Sequence, residues 1–210
     1  MTLPNALTLL RIFFIPLLLA VLLRKQIYLE TPWVTLSKEW LALAIFLVAA
    51  LTDLLDGIIA RRRGQVSTLG TLLDPVADKL LISAAFISLV ELHQIPAWMV
   101  VVIVGREFAV SGLRSIAAAE GYTIQASELG KTKMTMQVIA VSLLLVGSQW
   151  TPFRVLGLVA VWLVVVFAVV SAADYFRKFW RQVDSRFKVR RRRERLLLLR
   201  KQQRKNVPAQ

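Results

Sequence analysis

The sequence predicts an all-α integral membrane protein with six transmembrane helices and both termini in the cytoplasm. Three observations lead there. Of the 210 residues 57% are hydrophobic, and the mean hydropathy is +0.61, which excludes an ordinary soluble domain. Six apolar stretches come close to the ~20 residues a helix needs to cross the hydrocarbon core. Most of the basic residues between them gather on alternate connections, in keeping with the positive-inside bias of membrane proteins, with Arg24, Lys25, Lys38 and Arg154 a minority on the other side.

The six stretches are residues 4–23, 39–60, 72–92, 96–118, 132–149 and 153–176. The first lacks the basic leading region of a signal peptide and reads as a retained helix. Residues 24–38, with Pro32 and Trp33, read as an outer loop carrying an aromatic interface anchor. Arg62 to Leu69 is a polar turn before the third helix. That helix should begin no earlier than about Thr71, because Pro75 has no N–H and is tolerated only near a helix start. His93-Gln94-Ile95-Pro96 is a short outer turn, and its histidine, the only one, reads as a loop residue. The six tryptophans suit interface belts and lipid-facing surface.

Residues 1–176 thus form one membrane domain and residues 177–210 a basic cytoplasmic tail, interfacial or partly disordered. The net charge of +14 is concentrated there: fourteen Lys and Arg from Arg177 onward face only Asp184 and Glu194, a local +12 that leaves +2 for the rest. Beside membrane helices such a segment adheres to anionic lipid at about 1 kcal/mol per charge, and nucleic acid is not expected as a partner. Leu196 to Leu199 beside the arginines suit an interfacial helix. Arg61-Arg62-Arg63, Lys131 with Lys133, and the tail fall on one side when six helices alternate, which places that side in the cytoplasm. There are no cysteines, so disulfides and thiolate metal sites are excluded.

Against this apolar background four aspartates stand out, Asp53, Asp56, Asp74 and Asp78. One aspartate at the centre of a membrane helix costs about 2.5–3.5 kcal/mol. Four in one neighbourhood call for compensation, which a divalent cation provides most simply. Asp53 and Asp56 are three residues apart and Asp74 and Asp78 four apart, so each pair shares a helix face. Two antiparallel helices can then present all four carboxylates to one point. The other reading is an ion network with Arg61, Arg62, Arg63 and Lys79. Hard oxygen donors with room for water and phosphate suit Mg²⁺ or Mn²⁺, and two such ions are a recurring device for displacement at phosphorus. Arg61 at the helix end is placed to hold a phosphate bidentately. Gly57 and Gly70 allow close approach of a ligand or backbone.

The full frame is Asp53-x-x-Asp56-Gly57-x-x-Ala60-Arg61, eight residues, then Gly70-x-x-x-Asp74-x-x-x-Asp78. All eight defining positions resemble the signature of the CDP-alcohol phosphotransferase family. That resemblance implies a six-helix, usually dimeric membrane enzyme, which transfers a phosphatidyl or related group from a CDP-linked donor to an alcohol and releases CMP. It further implies that Asp53, Asp56 and Asp74 bind metal. Asp78 would be the base and may be a further ligand, while Gly57, Ala60, Arg61 and Gly70 shape the nucleotide site. The expected cofactor is Mg²⁺ or Mn²⁺, two ions in all, and the family's usual setting implies a bacterial inner membrane.

The acceptor is indicated elsewhere. Arg106, Glu107 and Arg114 lie in the fourth stretch, and Lys131 and Lys133 open the fifth. An Arg106–Glu107 structural pair is one reading. A basic pocket for an anionic acceptor is the other, and it is favoured because one glutamate cannot neutralise so many cations. Pro4-Asn5-Ala6-Leu7-Thr8-Leu9-Leu10-Arg11, Gly105-Arg106-Glu107-Phe108 through Ser111-Gly112-Leu113-Arg114, and Gly130-Lys131-Thr132-Lys133 through Gln137 are similar to the branch of that family making phosphatidylglycerophosphate. Met134 departs from the usual residue in that last run. By this similarity CDP-diacylglycerol and sn-glycerol 3-phosphate are the substrates. Arg106, Arg114, Lys131 and Lys133 bind the acceptor phosphate with Ser111 as a helper, and Asn5 and Thr8 reach the CDP end. The rivals are a relative using phosphatidylglycerol, inositol phosphate or serine as acceptor, a cation transporter whose ion site is the aspartate cluster, and a structural lipid-binding protein.

Overall fold

Among the described residues six helices form, one on each apolar stretch. They are α1 (Leu3–Leu23), α2 (Lys38–Arg63), α3 (Thr68–Glu91), α4 (Ala97–Ala119), α5 (Leu129–Gly147) and α6 (Thr151–Lys205). The structure, a computed structural model, describes residues 3–24, 28–31, 34–63, 68–121 and 129–205. Side chains at 3–7, 28–36, 53–63, 68–75, 129–131 and 184–205 lie outside that description.

Three expectations need correction. The segment read as an outer loop contains an antiparallel hairpin, β1 (Tyr28–Thr31) with β2 (Val34–Ser37), in register from Tyr28 opposite Ser37 to Thr31 opposite Val34. Its β-branched and aromatic residues suit a pleated strand better than an irregular loop. Helix α3 begins at Thr68, three residues earlier than Pro75 was expected to permit. Proline's absent N–H costs one ladder bond, here the one to the carbonyl of Thr71, and the helix runs on regardless, as α1 does through Pro16. Finally, α6 does not stop near residue 176. It continues through the basic segment to Lys205, 55 residues in all, because Arg, Lys, Gln and Leu are good helix formers and no glycine or proline interrupts them.

Among the described residues one helical stretch, Thr151–Val183, is long and apolar enough to qualify alone as a membrane span, while Thr8–Leu23 and Thr132–Gly147 are apolar but shorter. Helices α2, α3 and α4 have 26, 24 and 23 residues, or about 35–39 Å of length. Charged residues interrupt their apolar surface: Asp53 and Asp56, Asp78 and Lys79, Arg106 and Glu107. Large apolar side chains are nevertheless exposed on every helix, among them Phe13, Leu51, Ile87, Val101, Ile139 and Val159. Apolar exposure of this kind on every helix suits a membrane-facing surface.

The chain divides into two units: Met1–Phe108 with Ala126–Val169, and Ala109–Gln125 with Val170–Gln210. In the first, α1 packs on α2 and α3, and α5 packs on the same two helices. Its core joins Leu18 and Leu22 of α1, Phe46 of α2, Phe86 and Leu89 of α3, Ile103 of α4, Val141 and Leu144 of α5, and Val161 of α6. Hydroxyls inside these apolar helices are satisfied locally: Ser88 donates to the Ala84 carbonyl at 2.9 Å and Ser142 to that of Val138 at 2.8 Å. Where α5 meets α6, a Cβ on Gly147 would stand 2.5 Å from the Arg154 backbone, so only glycine permits that approach.

Helix α3 ends in a Schellman cap. The Gln94 N–H donates to the Leu89 carbonyl at 3.0 Å and the His93 N–H to that of Val90 at 2.9 Å. His93 occupies the left-handed position, φ 55°, where glycine is usual. It is a turn residue, as its sequence context predicts.

Candidate active site

Helix α2 carries Asp53, Asp56, Gly57, Ala60 and Arg61 in its last half, and α3 carries Gly70, Asp74 and Asp78 in its first half. The two helices touch and are joined through residues 64–67. The helical spacing expected of each aspartate pair is therefore present in the backbone. The side chains of Asp53, Asp56, Ala60, Arg61 and Asp74, and the surroundings of Gly57 and Gly70, lie outside the described residues, as do those of Asn5 and Lys131. Among the described residues no group of three or more His, Cys, Asp or Glu is placed to hold a metal. As a donor set, four carboxylates with no thiol and no nearby imidazole fit a hard divalent cation.

Asp78 is the one of the four whose side chain is described. Its carboxylate, 31% exposed, accepts a hydrogen bond from Arg11 Nη1 at 2.6 Å, and the Arg11 side chain is fully buried. Arg11 is on α1, 67 residues away in sequence. Thr8, one helical turn before it, is buried too, so one face of α1 delivers two polar residues into the bundle.

A second cluster forms between α4 and α5. Glu107 is its hub: Lys133 Nζ pairs with Glu107 Oε1, Arg106 Nη1 lies 3.6 Å from Oε2, and Gln137 Nε2 donates to Oε1 at 3.5 Å. Lys133 and Gln137 are buried. Helix α5, which carries Lys133, also packs on α3, the helix bearing Asp78. The Arg106–Glu107 pair weighed from sequence is present, and Lys133 shares the same carboxylate, so Glu107 draws the two cations together.

The other two acceptor candidates belong to the second unit. Ser111 is half-buried on α4. Arg114 Nε donates to the Tyr175 hydroxyl at 2.7 Å, and its guanidinium carbon lies 5.0 Å from the Tyr175 ring centre. Tyr175 is buried, so in this arrangement Arg114 is held by an aromatic side chain of α6.

Sequence reasoning quoted Arg11, Glu107 and Gln137 within motifs without giving Arg11 or Gln137 a role. An arginine in the middle of an apolar stretch was the available signal for Arg11. Tyr175 carried none. At the far end of α3, Glu39, His93, Gln94, Ser148 and Arg154 line a cleft, and Gln149 Nε2 donates to Glu39 at 3.1 Å. Thirteen residues separate Asp78 from the end of α3 at Glu91, about 20 Å of helix, so this cleft is remote from the aspartates.

Comparison with known proteins places these features in context. The family described as CDP-alcohol phosphatidyltransferase matches residues 1–170. A Bacillus subtilis protein named CDP-diacylglycerol–glycerol-3-phosphate 3-phosphatidyltransferase is 44% identical over 185 residues, covering 85% of this chain and 95% of its own. A Rickettsia bellii protein of the same name is 34% identical over 178 residues, covering 83% of this chain and 93% of its own. A crystal structure of Mycobacterium tuberculosis phosphatidylinositol phosphate synthase with CDP-DAG bound superposes with a TM-score of 0.56 at 19% identity, covering 85% of this chain and 87% of that one. At that identity the likeness shows a shared fold.

Proposed function

The chain belongs to the CDP-alcohol phosphatidyltransferase family, and from that premise we propose that it transfers the phosphatidyl group of CDP-diacylglycerol to sn-glycerol 3-phosphate, giving phosphatidylglycerophosphate and CMP. The observation that carries the acceptor assignment is the largely buried Arg106–Glu107–Lys133 cluster, which places two cations side by side on helices α4 and α5, the latter packed on α3. The names of the Bacillus subtilis and Rickettsia bellii relatives agree with it.

The chemistry follows from the residue types. The acceptor hydroxyl attacks the phosphorus that bears the diacylglycerol, and the bond from that phosphorus to the CMP oxygen breaks. Asp78 takes the hydroxyl proton, since an alcohol is a poor nucleophile until a base within hydrogen-bond reach removes it. Arg106 and Lys133 hold the acceptor's phosphate, with Lys131, Arg114 and Ser111 as further contacts. Gly57, Ala60, Arg61, Gly70, Asn5 and Thr8 hold the CDP end of the lipid. Asp53, Asp56 and Asp74, with Asp78 as a further ligand, would hold Mg²⁺ or Mn²⁺, two ions in all, which when bound neutralise the pyrophosphate and the departing CMP.

We read the enzyme as a six-span protein of a bacterial inner membrane, a homodimer with both termini and the active site facing the cytoplasm. Apolar exposure on all six helices supports the multi-span reading, and the basic end of α6 would rest on anionic lipid. Purified protein given CDP-diacylglycerol, Mg²⁺ and a panel of acceptors should release CMP with sn-glycerol 3-phosphate and stop when EDTA is added. Release only with inositol phosphate or phosphatidylglycerol would refute the acceptor, and no release with any acceptor would refute the activity. Asp78→Asn should abolish turnover while sparing CDP-diacylglycerol binding. Loss of that binding would make Asp78 chiefly a ligand.

A further inference from the structure

Helix α1 contains a single charged residue, and the fold turns it inward. Leu9, Leu10 and Phe13 around it are exposed, whereas Arg11 is fully buried. An arginine is not needed to fill that space, since an apolar side chain of similar volume would fill it without desolvating a charge. What the guanidinium supplies is a fixed donor: Nη1 stands 2.6 Å from Asp78 Oδ1. The Asp78 side chain remains 31% exposed. The carboxylate is thus gripped from the protein interior while part of the side chain stays accessible.

We propose that Arg11 is a positioning residue for Asp78, fixing the orientation of its carboxylate relative to the acceptor hydroxyl. This rests on the reading of Asp78 as the base. An unheld aspartate rotates about two side-chain bonds, and misplacement of a reacting group by about 1 Å costs on the order of 10²-fold in rate. The grip comes from a third helix, so the α2–α3 pair that carries the aspartates does not by itself complete the site. Lysine offers a charge and a donor but not the planar fork, so it should restore the grip only in part.

The test compares full-length wild type with Arg11→Met and Arg11→Lys in one detergent or liposome preparation. Steady-state constants are measured for both substrates, and CDP-diacylglycerol binding is measured without acceptor. In Arg11→Met, kcat should fall about 100-fold, with both KM values and CDP-diacylglycerol binding unchanged. Arg11→Lys should recover about tenfold of that loss. An unchanged kcat in folded Arg11→Met overturns the proposal. So does a loss that appears in CDP-diacylglycerol binding or KM, because Arg11 would then serve the donor substrate. Should Arg11→Met fail to fold, Arg11→Lys and Arg11→Gln carry the same comparison, and a wild-type kcat in either overturns it. Absence of CMP release by the wild type would instead refute the proposed function, so the two failures are distinguishable.

Discussion

Glu107 shows why a residue's charge and its role are different questions. From sequence it is a neighbour of Arg106 with too little charge to neutralise the local cations. In the fold it reaches both Arg106 and Lys133 and also accepts from Gln137, so it sets the spacing of the two cations that an acceptor phosphate would meet. Charge-assisted hydrogen bonds are worth about 1.5–3 kcal/mol each. Replacing Arg106 or Lys133 with alanine should therefore raise the KM for sn-glycerol 3-phosphate by about ten- to a hundredfold, and an unchanged KM would remove either from the pocket. Glu107→Ala removes one partner of a largely buried pair, which costs about 3–5 kcal/mol in such settings. A melting temperature that does not move would show that the pair is not structural. Arg114 is the counter-example: the same kind of residue, expected in the same pocket, has its Nε bound to Tyr175.

At the scale of elements, the helices are where apolar runs and polar breaks put them, and the departures are at their ends. Pro75 was overweighted as a start signal, because one missing N–H is tolerated at the eighth residue of a long helix. Helix α6 runs on into the basic tail, where arginine and lysine are good helix residues and Leu196 to Leu199 had suited an interfacial helix. The α3 cap has a consequence that can be measured. His93 holds a left-handed backbone conformation, which costs a residue with a Cβ about 1–2 kcal/mol. His93→Gly should therefore stabilise the protein by about 1 kcal/mol, read as a higher midpoint in thermal or denaturant unfolding. A lower midpoint would mean the imidazole is needed where it stands.

For the whole molecule, topology is the claim with most at stake. The six-span reading puts the α3–α4 turn outside and the α4–α5 connection in the cytoplasm. The natural absence of cysteine makes this easy to probe. A single cysteine at Gln94 should react with a membrane-impermeant maleimide on intact spheroplasts, and one at Glu120 should react only after permeabilisation. The reverse pattern, or labelling of both, would overturn the orientation.

The reaction class came with the resemblance that the aspartate frame carries. The frame and its helical phase were legible in the sequence, because helical spacing is a local property of residue order. So were the excess of cations on α4 and α5 and the six helices themselves. Which cations meet, and what grips Asp78, were not. Arg11 and Asp78 lie 67 residues apart, Arg114 and Tyr175 61 apart, and Gln137 and Glu107 30 apart. No periodicity within one helix encodes a contact between two. Only packing chooses which face of α1 turns toward α3, and that choice made a buried arginine the partner of Asp78.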